Sequence, residues 1–309
     1  MKKALVFAGQ GAQYIGMGKD FYEKFDYVKS MYDEASKILG FDVPSICFED
    51  NDQLSQTKYT QPCILVTSIA IYEVLKREIG LNPICVAGFS LGEYSALYAS
   101  GIFSFQNIIT LIKYRAMYMD ECANQTKGKM AAVIGLDQIT LESICNEVGE
   151  VQIANYNSPT QLVISGNSES VDKVMQKIKG IAKRVIPLNV SGAFHTPLME
   201  KAANKIYELV NKMPYNNPTF PIIANYTGKT LDINNLPEIM KKQITSSVQW
   251  IKTVEYMIDS FHIDEFVEIG PGKVLSGLIK KIAPNKKTIS INNVEDLQSL
   301  RRNENEFRK

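Results

Sequence analysis

Histidine is scarce in this chain. Its 309 residues include two, His195 and His262, so any imidazole chemistry must choose between them. Cysteine is sparse in another way. Cys47, Cys63, Cys85, Cys122 and Cys145 are odd in number, scattered, and never form C-x-x-C. Such spacing suggests neither a disulfide framework nor a zinc site, and no metal or cofactor is expected. Charge of one sign is also lacking: 34 basic and 33 acidic side chains leave a net +1. That balance argues against wholesale binding of nucleic acid or a membrane surface. No apolar run reaches the ~18 residues of a membrane helix. The N-terminal MKKALVFAGQGAQ breaks at Gly9, too early for a signal-peptide core, and reads as a first strand. Together these absences lead to the expectation of a soluble, reduced, cytoplasmic protein.

The length suits one large domain, or a domain with an insert, burying ~75% of its unfolded surface. The first third alternates strand and helix patterns. A strand over Lys3 to Ala8 leads into the glycine-rich GQGAQYIGMG and a helical stretch around Tyr22 to Leu39. A long helical pattern, TQPCILVTSIAIYEVLKREIG, ends at Gly80, and another runs from Gln106 to Cys122. This rhythm predicts a parallel α/β sheet. From about residue 128 it changes. KMAAVIGL, TLESICNEVG, VQIANYNSPTQLVISG, SESVDKVMQKIKG and AKRVIPLNV read as β-α-β-β-α-β, the order of a ferredoxin-like unit. After it PIIANYTG and FVEIGPG read as strands and VLSGLIKKI as a closing helix. The expected division is a core of 1–126 with 194–309 and an insert of 127–193. The charged tail LQSLRRNENEFRK is expected to fray.

Gly88, Ser90 and Gly92 form G-x-S-x-G within GFSLGEYSAL. The motif alone is common, but its surroundings are specific. Pro83 precedes an apolar run from Ile84 to Ala87, suited to a strand buried on both faces. Leu91, Ala96, Leu97 and Ala99 then favour helix, Glu93 suits a first turn and Gly101 a stop. Strand–turn–helix is the context of a nucleophile elbow, in which the helix N-terminus offers N–H groups to an oxyanion. A serine nucleophile needs a base, and His195 lies in a loop of small residues where the insert hands back to the main sheet. An imidazole near its unperturbed pKa of ~6.5 suits proton transfer at neutral pH. His262, between a helix and a strand, reads as structural. No aspartate stands out as a third member, so a backbone or amide carbonyl is left to orient the ring.

FAGQGAQYIGMG, GFSLGEYSAL, NYNSPTQLVISG, SGAFHTPLM, QITSSVQW and EIGPGKVLSGLIKKI, in this order, resemble the malonyl-CoA:acyl-carrier-protein transacylase family. The acyltransferase domains of polyketide and fatty acid synthases look similar. The resemblance implies an α/β-hydrolase-like parallel-sheet core with an inserted ferredoxin-like subdomain, and malonyl transfer from coenzyme A to the phosphopantetheine thiol of acyl carrier protein. It implies Ser90 as nucleophile and His195 as base. Gln10 and Leu91 would give backbone N–H groups to the oxyanion. Gln243 would hold the imidazole through a carbonyl oxygen, and Arg115 would bind the malonyl carboxylate. Phe194 would favour malonyl over methylmalonyl by crowding an α-methyl. The chain departs from the family's G-H-S-x-G at Phe89, which removes an imidazole beside the serine and puts rate and substrate range in question there.

Arg115 also has a physical case. Its neighbours in LIKYRAMYM are mostly apolar, which turns it inward, although a helix arginine is more usually solvated. A buried guanidinium binds a carboxylate through two charge-assisted hydrogen bonds, and an acetyl group would leave it unpaired. The expected partners are malonyl-CoA and holo acyl carrier protein, to a monomer. Lys280 with Lys281, and Lys286 with Lys287, are candidates for a basic rim facing the acidic carrier. The alternatives are a free-standing malonyltransferase of a polyketide pathway, an acyl hydrolase on the same scaffold, and a non-catalytic scaffold binding carrier protein.

Overall fold

The computed structural model describes residues 1–190 and 192–306. Its strands, in chain order, are β1 (Lys3–Phe7), β2 (Cys85–Gly88), β3 (Gly128–Ile134), β4 (Val151–Ser158), β5 (Gln161–Asn167), β6 (Arg184–Pro187), β7 (Ile222–Ala224), β8 (Lys229–Thr230), β9 (Glu265–Ile269) and β10 (Lys287–Ile291). The larger sheet has the order β10-β9-β1-β2-β7-β8 and is parallel except at the β7–β8 pair.

Its strands read as apolar runs because both faces are covered. Ala4, Val6, Cys85 and Ala87 face Trp250, Val254 and Met257 of the helix Trp250–Phe261, with Leu275 and Ile279 of the helix Val274–Ile282. Leu5, Phe7 and Val86 face the opposite core, built on the helices Thr57–Ile79, Gly92–Ala99 and Phe105–Gln125. The helix Thr57–Ile79 ends where expected, at Gly80 with φ 68°.

Several boundaries differ from expectation. The elbow strand runs one residue later, because Ile84 is 40% exposed while Gly88 pairs with Phe7. The stretch expected as one helix to Leu39 is two, Lys19–Lys24 and Asp26–Leu39, separated by an extended Phe25. The helices Glu200–Lys212 and Leu236–Thr245 were not anticipated. The tail does not fray from its start: a helix spans Val294–Glu306, with Leu297 and Leu300 buried. The last residues of that expectation, 307–309, lie outside the described residues.

The smaller sheet is antiparallel, in the order β4-β5-β3-β6, with the helices Gln138–Val148 and Ser168–Lys177 on one face. Its other face, through Met130, Ala132, Ala154 and Val163, joins the large core. The edge strand β4 is pinned to the main body. Tyr156 N donates to Val248 O at 2.9 Å, Val248 N to Ala154 O at 2.8 Å, and Ser247 Oγ to Ile153 O at 2.6 Å. That pinning brings the two sheets together around a cleft.

Candidate active site

Ser90 follows β2 at the carboxyl end of the parallel strands, where α/β sheets place their sites. It adopts φ 50°, a left-handed conformation costly for a non-glycine residue. The flanking glycines serve close approach. A Cβ at Gly88 would fall 1.9 Å from the Gly92 backbone, and one at Gly92 would fall 2.1 Å from Phe7 O. Asn225, just beyond β7, clamps the turn: its Oδ1 accepts from Ser90 N at 2.6 Å and its Nδ2 donates to Gly88 O at 2.6 Å. Ser90 N–H is thereby occupied. The backbone N–H groups of Leu91 and Gln10 have no partner among the described residues, while the Gln10 side chain turns away to Thr57 Oγ1 at 3.3 Å.

Ser90 Oγ lies 2.8 Å from His195 Nε2. The imidazole Nδ1–H donates to the carbonyls of Gln243 at 3.1 Å and Ser246 at 3.2 Å. Both partners only accept, so Nδ1 holds the proton and Nε2 offers its lone pair to the serine. Burial, then the charge of Arg115, lowers the His195 pKa to about 4. The ring is therefore a neutral base at physiological pH. His195 itself sits at φ 60°, with Gln152 Nε2 of β4 donating to its carbonyl at 2.8 Å.

Arg115 is 1% exposed and its guanidinium is loosely held. Nη1 donates to Gln61 Oε1 at 2.6 Å, whereas Nη2 reaches Gln243 Oε1 and Ser90 Oγ only at 3.4 Å each. Nε has no partner, and the Tyr94 ring lies 4.9 Å away. No carboxylate lies within ion-pair distance among the described residues. A buried cation left short of partners is costly unless a ligand completes it, and the ligand it fits is an anion beside the serine.

The site opens into a cleft of about 240 Å³ between the two sheets. That is below the ~300 Å³ of a typical small-molecule pocket, and suits an acyl group with part of its linker. Phe194 and Phe89 are on its wall. Phe194 is also part of the large core, and the Phe89 ring meets Trp250 edge-on at 5.5 Å. Lys281 lies at the rim, its Nζ 3.4 Å from Gln161 Oε1 on the cleft wall. Lys286 and Lys287 do not belong to this rim. Lys287 pairs with Glu265 at the amino ends of β10 and β9, whereas the site lies at the carboxyl ends. His262, exposed, ends the helix Trp250–Phe261 away from the site.

Five participants were not anticipated: Gln61, Gln152, Asn225, the Ser246 carbonyl, and Glu93 as a buried group. Glu93 is 0% exposed rather than a solvated first-turn acid. A signal existed for three of them. Gln61 and Glu93 are polar residues inside apolar helix patterns, and Asn225 ends an apolar strand. The Ser246 contribution is a backbone carbonyl, which leaves no side-chain signature.

A strand–turn–helix serine paired with a buried neutral histidine defines the class of enzymes that transfer acyl groups through a serine ester. Comparison with known proteins narrows it. The family described as "Acyl transferase domain" matches residues 4–308. A malonyl CoA-acyl carrier protein transacylase of Bacillus subtilis (strain 168) is 39% identical over 304 residues, covering 96% of this chain and 95% of that one. The crystal structure of the malonyl CoA-acyl carrier protein transacylase from Clostridium perfringens Atcc 13124 is 37% identical, with a TM-score of 0.94 and coverage of 100% and 98%. A malonyl-transacylase solved in complex with its type II PKS acyl-carrier protein is 35% identical, with a TM-score of 0.93 and coverage of 97% and 98%. The chain belongs to the malonyl-CoA:acyl-carrier-protein transacylase family. Among the described residues no helix is long and apolar enough to cross a membrane, and no cluster of three or more His, Cys, Asp or Glu could hold a metal ion.

Proposed function

We propose that this chain carries malonyl from malonyl-CoA to the phosphopantetheine thiol of holo acyl carrier protein, through an ester on Ser90. One observation carries the reading: the partner-poor guanidinium of Arg115 stands 3.4 Å from the same hydroxyl that His195 addresses at 2.8 Å. That arrangement supports reading Arg115 as a carboxylate receptor beside the nucleophile. In the first half-reaction Ser90 Oγ attacks the thioester carbonyl as its proton passes to His195 Nε2. The oxyanion forms against the N–H groups of Leu91 and Gln10. Collapse breaks the C–S bond, and His195 returns the proton to the departing coenzyme A thiolate. In the second, the carrier's thiol gives its proton to His195, attacks the ester, and Ser90 recovers a proton as it leaves. Splitting the exchange through an ester suits a thioester donor and a thiol acceptor.

The acceptor is the carrier of fatty acid biosynthesis. The likeness to a transacylase complexed with a type II PKS carrier supports a second reading, in which the chemistry is the same and the carrier serves a polyketide pathway. A pure hydrolase gains little from a buried carboxylate receptor. Lys281, with Lys280 beside it, supplies part of the basic rim for an acidic carrier. The enzyme acts as a monomer, and its five buried free thiols suit the reducing cytoplasm. The test is intact mass after mixing with equal malonyl-CoA and acetyl-CoA, then holo carrier. A malonyl adduct that forms selectively and moves to the carrier is expected. Coenzyme A release with no adduct and no loaded carrier would overturn the transferase reading.

A further inference from the structure

Glu93 is a buried carboxyl packed behind this site, and the transfer chemistry makes no use of it. It sits in the first turn of the helix Gly92–Ala99 and is 0% exposed. Oε1 accepts a single long bond from Asn225 N at 3.3 Å, and Oε2 has no partner. Ionised, it would be a fully buried anion with only the long Asn225 bond and the nearby Gln243 amide to meet it, an arrangement proteins avoid by protonation. Arg115 is the cation that acts on it, yet the two do not form an ion pair.

Resting on the malonyl reading above, we propose that Glu93 is a specificity-determining residue: held as the neutral acid, it denies Arg115 an internal counter-ion and so reserves the guanidinium for the substrate's carboxylate. Protonated, Glu93 cannot compete with the malonyl carboxylate. Ionised, it would neutralise Arg115 from within and oppose a second negative charge. The same residue still secures the backbone of Asn225, whose side chain clamps the Ser90 turn.

The neighbours of Glu93 agree. Its own helix contributes Tyr94, pushed up to about 12 by burial and so neutral. The helix Phe105–Gln125 contributes Arg115, the helix Leu236–Thr245 contributes Gln243, and the turn after β7 contributes Asn225. Only Arg115 is charged. Burial raises the Glu93 pKa to about 8, against the lowering contributions of Asn225, Gln243 and Arg115. Glu93 is therefore neutral below about pH 8 and ionises above it, and malonyl binding above that point requires uptake of one proton.

The experiment is single-turnover acylation of the enzyme by malonyl-CoA from pH 6.5 to 9.5, read by intact mass, for wild type and Glu93→Gln. In wild type the half-saturating malonyl-CoA concentration should be flat below about pH 8. Above it the concentration should rise toward ~10-fold per pH unit, the slope for one linked proton. In Glu93→Gln, a permanent neutral isostere, it should stay flat across the range. A flat wild-type profile, or a rise kept in Glu93→Gln, would overturn the proposal, whereas absence of a malonyl adduct at every pH would overturn the malonyl reading itself. If Glu93→Gln does not fold, Ser90→Ala protein with Glu93 intact is titrated calorimetrically with malonyl-CoA in two buffers of different ionisation enthalpy. Proton uptake at pH 8.5 and none at pH 6.5 is expected. No uptake at pH 8.5 would contradict it.

Discussion

Ser90 and His195 both sit at positive φ, 50° and 60°, yet the chain holds them there by different means. The serine is held from its own neighbourhood. Gly88 and Gly92 let the turn press onto β1, and two long-range residues lock it: Asn225 at Ser90 N and Gly88 O, and Gln243, whose Nε2 donates to Ser90 O at 2.8 Å. The histidine is held from a distance. The Gln243 and Ser246 carbonyls fix its ring, and Gln152 of the smaller sheet fixes its backbone. The segment carrying those carbonyls continues into Ser247 and Val248, which also pin β4. Docking of the small sheet and aim of the imidazole are thus one structural event, whereas the serine turn is shaped within the parallel core and meets that segment at one point, the Gln243 side chain.

Burial divides the two halves again, with opposite sign. The His195 pKa falls to about 4 and that of Glu93 rises to about 8, so both groups are neutral at pH 7. As pH falls below ~6.5, the unfolded chain takes up a proton that folded His195 refuses until about pH 4, and stability is lost in that window. Glu93 contributes stability that is complete below ~4.5 and fades as pH rises through about 8. Stability of wild type and Glu93→Gln against denaturant at pH 6 and 9 separates them: the fall toward pH 9 should shrink in the variant.

Substitutions break the contrast in descending order. Ser90→Ala and His195→Ala should each lower acylation by ~10⁴-fold or more, measured by single turnover. Arg115→Ala should collapse the preference for malonyl over acetyl, up to ~10⁴-fold, in a competition assay. Gly92→Ala should cost several kcal/mol of stability in chemical denaturation, since its Cβ would meet Phe7 O at 2.1 Å with no flexible atom to yield. Gln152→Leu, acting on the histidine half, should cost about 1–3 kcal/mol, seen as slower acylation with the Ser90 turn intact. Phe89→His should change activity by less than ~10-fold. The Phe89 ring packs on Trp250, apart from the proton path, and a larger change would show that this position takes part in the chemistry.

How much was legible follows the same divide. The serine turn could be read because its determinants are local: an apolar strand, two glycines and a helix start within a dozen residues. The β-α-β-β-α-β order was legible because its strands and helices alternate at short range. The histidine half was legible only in its residue type. Its supports come from positions 152, 243 and 246, two of them as backbone carbonyls, and no local pattern announces a carbonyl's direction. The helices Glu200–Lys212 and Leu236–Thr245 were not legible despite their apolar faces, because neither begins with a side-chain cap and both lie between more conspicuous motifs. Lys286 and Lys287 looked equivalent to Lys280 and Lys281 until the parallel register placed them at the opposite end of the sheet.

The most direct test exploits the scarcity of histidine. In ¹⁵N-histidine-labelled His262→Gln protein, only His195 gives imidazole signals. Followed by NMR from pH 8 to 4, they should show one neutral tautomer protonated at Nδ1, with no titration until about pH 4. A midpoint near 6.5, or the proton on Nε2, would contradict a base aimed at Ser90 by two backbone carbonyls.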